Sequence, residues 1–177
     1  MNVFVLCTGR CGSTTFARAC AHITNFTASH ESRCRLLGPD RVAYPENHIE
    51  VDNRLAWFLG RLGNAYGDDA FYVHLLRDRA GTAASYNQRW FPAGILAAYN
   101  QSILMRHSGG LEVAEDLWDT VNENIRAFLA DKSQTLEFQL DTAEADMRKF
   151  WQAIGAEGDL EAAVAEWRVR HNASKRS

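Results

Sequence analysis

Nine consecutive residues, Cys7-Thr8-Gly9-Arg10-Cys11-Gly12-Ser13-Thr14-Thr15, put two glycines, an arginine and a run of hydroxyls directly after the apolar stretch Val3 to Leu6. Glycines let a loop curl tightly, and backbone N–H groups at a following helix start point at an anion, helped by the helix dipole. The hydroxyls of Ser13, Thr14 and Thr15 add donors, and Arg10 adds a fixed positive fork. The chemistry such a loop supports is the holding of a phosphate or sulfate group. The nucleotidase loop requires four residues between its glycines and then Lys-Ser/Thr. Here only Arg10 and Cys11 separate Gly9 from Gly12, and no lysine follows. A cysteine-phosphatase loop needs arginine six places after its cysteine, where this chain has Ser13 or Ala17. Helix capping alone accounts for the hydroxyls but leaves Arg10 unexplained.

A second charged motif, Phe71-Tyr72-Val73-His74-Leu75-Leu76-Arg77-Asp78-Arg79, precedes Ala83-Ala84-Ser85-Tyr86. It puts Arg77 at a strand end and Ser85 on the next helix, a pair able to clamp a second phosphate. The plainer readings are an Arg77 salt bridge to Asp78 or Asp52, and a Ser85 hydroxyl bonding back to the preceding turn. With both motifs present, the chain resembles the nucleotide-dependent sulfotransferase family. GRCGSTTF is similar to that family's 5′ loop, in the version with arginine where cytosolic members have lysine. The resemblance implies that Arg10, Cys11, Gly12, Ser13, Thr14 and Thr15 bind the 5′ side of 3′-phosphoadenosine 5′-phosphosulfate (PAPS), and Arg77 and Ser85 the 3′-phosphate. Ser29-His30-Glu31-Ser32-Arg33 resembles the tyrosylprotein branch, which implies Glu31 as catalytic base. The product would be 3′-phosphoadenosine 5′-phosphate (PAP), and no metal is required.

The resemblance continues weakly over Leu136 to Gly155, similar to the family's late strand, acidic turn and helix, although Gln139-Leu140-Asp141 replaces the usual acidic pair. Arg168 to Arg176 is similar in position to a flexible basic segment that covers the cofactor. The chain is shorter than typical members. Transfer would need an in-line attack, a base to take the acceptor's proton, and charge stabilisation on the leaving phosphate by Arg10 and the loop. His30 is the alternative to Glu31 as base, and Arg33 could orient Glu31 or contact a donor phosphate. His48 and Glu50 are rival bases, but a helix cap at Asp52 or Asn53 explains that segment more simply. Trp90 and Phe91 could stack on adenine or line an acceptor cleft, with core packing the default. Two other functions stay open: a nucleotide or phosphosugar kinase, and a non-catalytic nucleotide-binding module.

The elements that must position these residues alternate. Val3–Cys7 and Phe71–Leu76 read as buried strands, each followed by a helix, over 14–22 and 80–89. Apolar spacing predicts helices over 53–62, 111–130, 142–154 and 160–170, and a strand over 135–140. This order predicts a single α/β domain over 1–177, with a parallel sheet flanked by helices and ligands outside the carboxyl ends of the strands. The resemblance implies a sulfotransferase fold of the P-loop nucleotide-kinase type. The 177 residues are 46% hydrophobic with net charge −3, enough for one core and without a basic field that would draw nucleic acid or a membrane surface. No signal peptide or spanning segment is visible, so the expected compartment is the cytoplasm, where Cys7, Cys11, Cys20 and Cys34 stay reduced. Their spacing fits no usual zinc pattern. The acceptor is a small molecule, a glycan or a peptide, and the oligomeric state is not written in the sequence.

Overall fold

A computed structural model describes residues 1–92 and 94–169. Its centre is a five-stranded sheet in the order β2-β3-β1-β4-β5, with every pairing parallel. The strands are β1 (Val3–Leu6), β2 (Thr27–His30), β3 (His48–Val51), β4 (Phe71–Leu76) and β5 (Thr135–Gln139). β1, β3 and β4 are buried along their whole length; β1 and β4 are near-continuous apolar runs, as a doubly covered sheet favours.

Strand side chains alternate between faces, and two cores result. Val3, Val5, Val51, Val73, Leu75 and Phe138 pack on one face with α1 (Ser13–Cys20), α6 (Ala143–Ala153) and α7 (Leu160–Ala165). Phe4, Leu6 and Tyr72 pack on the other with α2 (Leu59–Tyr66), α3 (Arg79–Gln88), α4 (Ile95–Ala98) and α5 (Leu111–Leu129). α5 buries Val113, Leu117, Val121 and Ile125, one stripe of a 3.6-residue period. Consequently β1 leads into a helix on one face, while its neighbour β4 leads into a helix on the opposite face. Such a reversal opens a crevice at the carboxyl ends, where ligands of doubly wound sheets sit.

The expected strands and most helices form within a few residues of their predicted bounds. Three expectations are corrected. The single helix over 53–62 is a 3₁₀ turn, Asn53–Trp57, followed by α2 from Leu59; the Asp52 carboxylate caps the turn at the Arg54 N–H, 2.8 Å away. The last helix ends as α7, and a 3₁₀ turn spans Glu166–Arg168. Trp90 and Phe91 are exposed rather than packed in the core. The basic stretch from Arg170 onward lies outside the described residues. Among the described residues no helix is long and apolar enough to cross a membrane, and no group of three His, Cys, Asp or Glu is arranged to hold a metal.

Candidate anion-binding site at the β1–β4 crevice

The loop from Cys7 to Gly12 turns by stringing left-handed residues together: φ is +83° at Gly9, +58° at Arg10 and +95° at Gly12. Gly9 has a second constraint, because a Cβ there would lie 2.6 Å from Asn53 Nδ2 and 2.7 Å from the Tyr86 hydroxyl. Those two side chains also bond the neighbouring Thr8 carbonyl, Tyr86 at 2.5 Å and Asn53 at 3.5 Å, so the loop is held from α3 and from the turn after β3. Helix α1 then begins at Ser13 with no side-chain cap and no acid in its first turn. Its positive dipole end faces the loop, where the Cys11 sulfur accepts from the Ser13 N–H and lies in place of an acidic side chain.

Arg10 joins the two charged motifs. Its Nε donates to Ser85 Oγ at 3.1 Å, and its own carbonyl accepts from Arg77 Nη1 at 3.1 Å. Ser85 thus offers its hydroxyl oxygen to the first motif. Arg77 is only loosely paired with Asp78, at 3.8 Å, and Asp52 is occupied by Arg41 at 2.6 Å. Gly81 allows this placement, since a Cβ on it would come within 3.0 Å of Arg77 Nε and Nη2 and 2.5 Å of the Asp78 carboxylate. Trp118 Nε1 fixes the Arg77 carbonyl at 3.0 Å. Burial holds the Arg10 guanidinium below its usual pKa, and the positive charges of Arg89 and then Arg77 depress it further. Two further guanidiniums thus raise the cost of the Arg10 charge beside a helix start that carries no acidic side chain, the condition that a bound anion relieves. Arg89 has no place in either sequence motif, and only its approach to Arg10 in three dimensions reveals it.

Glu31 follows β2 in a left-handed conformation, φ +53°, with its N–H on the Val51 carbonyl at 3.1 Å. Its carboxylate meets Arg54 Nη1 at 2.5 Å. His30 Nε2 lies 3.2 Å from Ser13 Oγ, so the β2 end and the loop are in direct contact. Arg33 does not orient Glu31: its Nη1 donates to the Asp40 carbonyl at 2.9 Å and its guanidinium lies over Tyr44. Glu50 is fully buried and accepts from the Ser32 N–H at 2.7 Å and the Ser32 hydroxyl at 2.6 Å, with His48 Nε2 3.1 Å away. Burial pushes the Glu50 carboxyl up, yet the hydrogen bonds from His48 and Ser32 outweigh it and leave the group below the ordinary range. It is a structural anchor for the Glu31 turn. Cys7 and Cys11 are buried, and Cys7 is held as a thiol by its hydrogen bond to Cys11 and by burial.

Loop, hydroxyls, Arg10, Arg77 and Ser85 are therefore gathered at the crevice, with His30 and Glu31 at its β2 side; among the loop hydroxyls Thr8 and Thr15 are buried and Ser13 and Thr14 half-buried. The chain matches no protein-family model, and no curated protein matches it. Among solved structures it is similar to a sulfotransferase domain from the curacin biosynthetic pathway, with a TM-score of 0.67 over 96% of this chain and 78% of that one, at 13% identity. The chain has a sulfotransferase-like fold.

Proposed function

We propose that this protein is a sulfotransferase that moves a sulfonate group from PAPS to a hydroxyl or amine of an acceptor. The observation that carries the reading is the junction at Arg10, where one side chain and one carbonyl tie the β1 loop to Ser85 and Arg77. Two charged motifs joined by these hydrogen bonds fit a nucleotide with phosphate at two positions. The donor set also fits: guanidiniums, hydroxyls and an uncapped helix start, without the lysine that a nucleoside triphosphate loop uses. The fold likeness supports the same choice.

In this reading PAPS supplies the activated sulfonate. Arg10, Ser13, Thr14 and the loop N–H groups bind the 5′ side and neutralise charge as it gathers on the leaving oxygen. Arg77 and Ser85 bind the 3′-phosphate. Glu31 takes the acceptor's proton, with His30, resting against Ser13, as the nearby alternative. Apart from that proton transfer, the protein contributes positioning and electrostatics, as in phosphoryl transfer.

The test is turnover of radiolabelled PAPS against a panel of a phenol, a monosaccharide and a tyrosine peptide, for the wild type, Glu31→Gln and His30→Gln. Glu31→Gln is expected to lose transfer by about 10²-fold or more, the range of a positioned general base, with PAP binding unchanged. Full transfer by Glu31→Gln, with loss in His30→Gln, would move the base to His30; no transfer to any acceptor by the wild type would contradict the enzymatic reading.

A further inference from the structure

The geometry points to Arg54 as the positioning residue for Glu31, fixing its carboxylate at the edge of the crevice from a buried foundation in β3. This rests on the reading of Glu31 as the base, and the two can fail separately.

Arg54 is the second residue of the 3₁₀ turn after β3, and its N–H is held by Asp52 at 2.8 Å. Asp52 is fully buried and is gripped in turn by Arg41, 1% exposed, at 2.6 Å. The arginine that meets Glu31 is thus built on a buried ion pair. On the other side, the Glu31 backbone hangs from Val51, and Ser32 is bonded twice to the buried Glu50. One end of the Glu31–Arg54 contact is anchored to β3 and the other to Asp52 immediately after it, so the carboxylate has little freedom.

The pair's own energy does not explain it. Glu31 and Arg54 side chains are 29% and 42% exposed, and ion pairs at that exposure contribute little to stability. What a 2.5 Å contact between anchored residues does supply is orientation. Arg33, two places after Glu31, is turned away onto Asp40 and Tyr44, leaving Arg54 as the guanidinium that meets this carboxylate. The other titratable groups around the pair are Asp52 behind Arg54, which feels the Glu31 charge, the Cys34 thiol near Arg54, and His30 on β2.

The experiment uses the full chain with ¹³C-labelled glutamate, following the position and width of the Glu31 carboxyl resonance, assigned by its loss in Glu31→Gln, at one neutral pH in wild type, Arg54→Gln and Arg54→Lys. Removing the guanidinium is expected to shift and broaden that resonance, because the carboxylate loses its fixed partner, while lysine keeps it near the wild type. In parallel, PAPS turnover should drop about tenfold in kcat for Arg54→Gln, with KM for PAPS unchanged, and recover in Arg54→Lys; the tenfold figure is the order expected for a misplaced reacting group. An unmoved resonance with unchanged kcat in Arg54→Gln overturns the proposal. A moved resonance alongside full transfer by Glu31→Gln leaves the ion pair standing and removes Glu31 as the base.

Discussion

At Arg10 the sequence and the three-dimensional arrangement carry the same information by different routes. The residue stands out in the sequence because capping explains its neighbours and not its charge; in space it bonds Ser85 through its side chain and Arg77 through its carbonyl. Gly9 is the other position where one residue decides the site. Gly9→Ala must adopt a left-handed φ and push against Asn53 and Tyr86, so we expect a loss of about 2 kcal/mol or more in urea denaturation, combining conformational strain and clash. An unchanged midpoint would mean the loop can relax freely. The hydroxyls, Arg77 and Ser85 were legible because their types and local spacing carry a physical meaning. Arg54, Arg89 and the anchoring role of Glu50 were not, because each acts on a partner far away in the chain: Arg54 on Glu31, Arg89 on Arg10, Glu50 on Ser32.

Elements show the same division. β1 and β4 are uninterrupted apolar runs and could be read directly, whereas β2 is a half-exposed edge strand, Thr-Ala-Ser-His, with no apolar alternation, and β3 alternates His48 and Glu50 with Ile49 and Val51. The polar residues of β3 are buried because they satisfy each other and Ser32, a condition invisible in a periodicity count. The turn after β3 depends on the buried Arg41–Asp52 pair. Arg41→Met leaves Asp52 without its charge partner and should cost about 3 kcal/mol or more by chemical denaturation; a cost under about 1 kcal/mol would show that the pair is not what holds the turn. β4 and α5 are joined by His74 Nε2 and Asn122 Oδ1, 2.8 Å apart. Burial depresses the His74 pKa below its ordinary 6.5. The unfolded chain therefore takes up a proton before the folded one does, so this contribution to stability is present above pH 6.5 and is lost as pH falls through the folded value. Glu50, depressed below its ordinary 4.5, adds a similar loss at lower pH. His74→Gln should remove the first of these steps from a stability–pH curve while leaving the second; a curve of unchanged shape would contradict the assignment.

For the molecule as a whole, one sheet supplies both cores, and the switch between β1 and β4 puts the two charged motifs in one crevice. The alternation of strands and helices made that architecture readable, while the strand order, with β1 at the centre, emerges only from pairing. Because α1 and α3 leave adjacent strands toward opposite faces, the motifs meet although Arg10 and Ser85 are 75 residues apart. Unfolding of either core must disrupt the shared sheet, so tryptophan fluorescence and far-ultraviolet circular dichroism should report one coincident transition; two separated transitions would mean the faces unfold independently. The central claim is a nucleotide site with phosphate at two positions, and calorimetric titration with PAP, for wild type and Arg77→Ala with ATP–magnesium as control, tests it most directly. The account predicts that PAP binds the wild type, that Arg77→Ala weakens it by about 2 kcal/mol or roughly 30-fold, and that ATP–magnesium does not substitute. Binding of ATP–magnesium in preference to PAP, or PAP binding indifferent to Arg77, would contradict it.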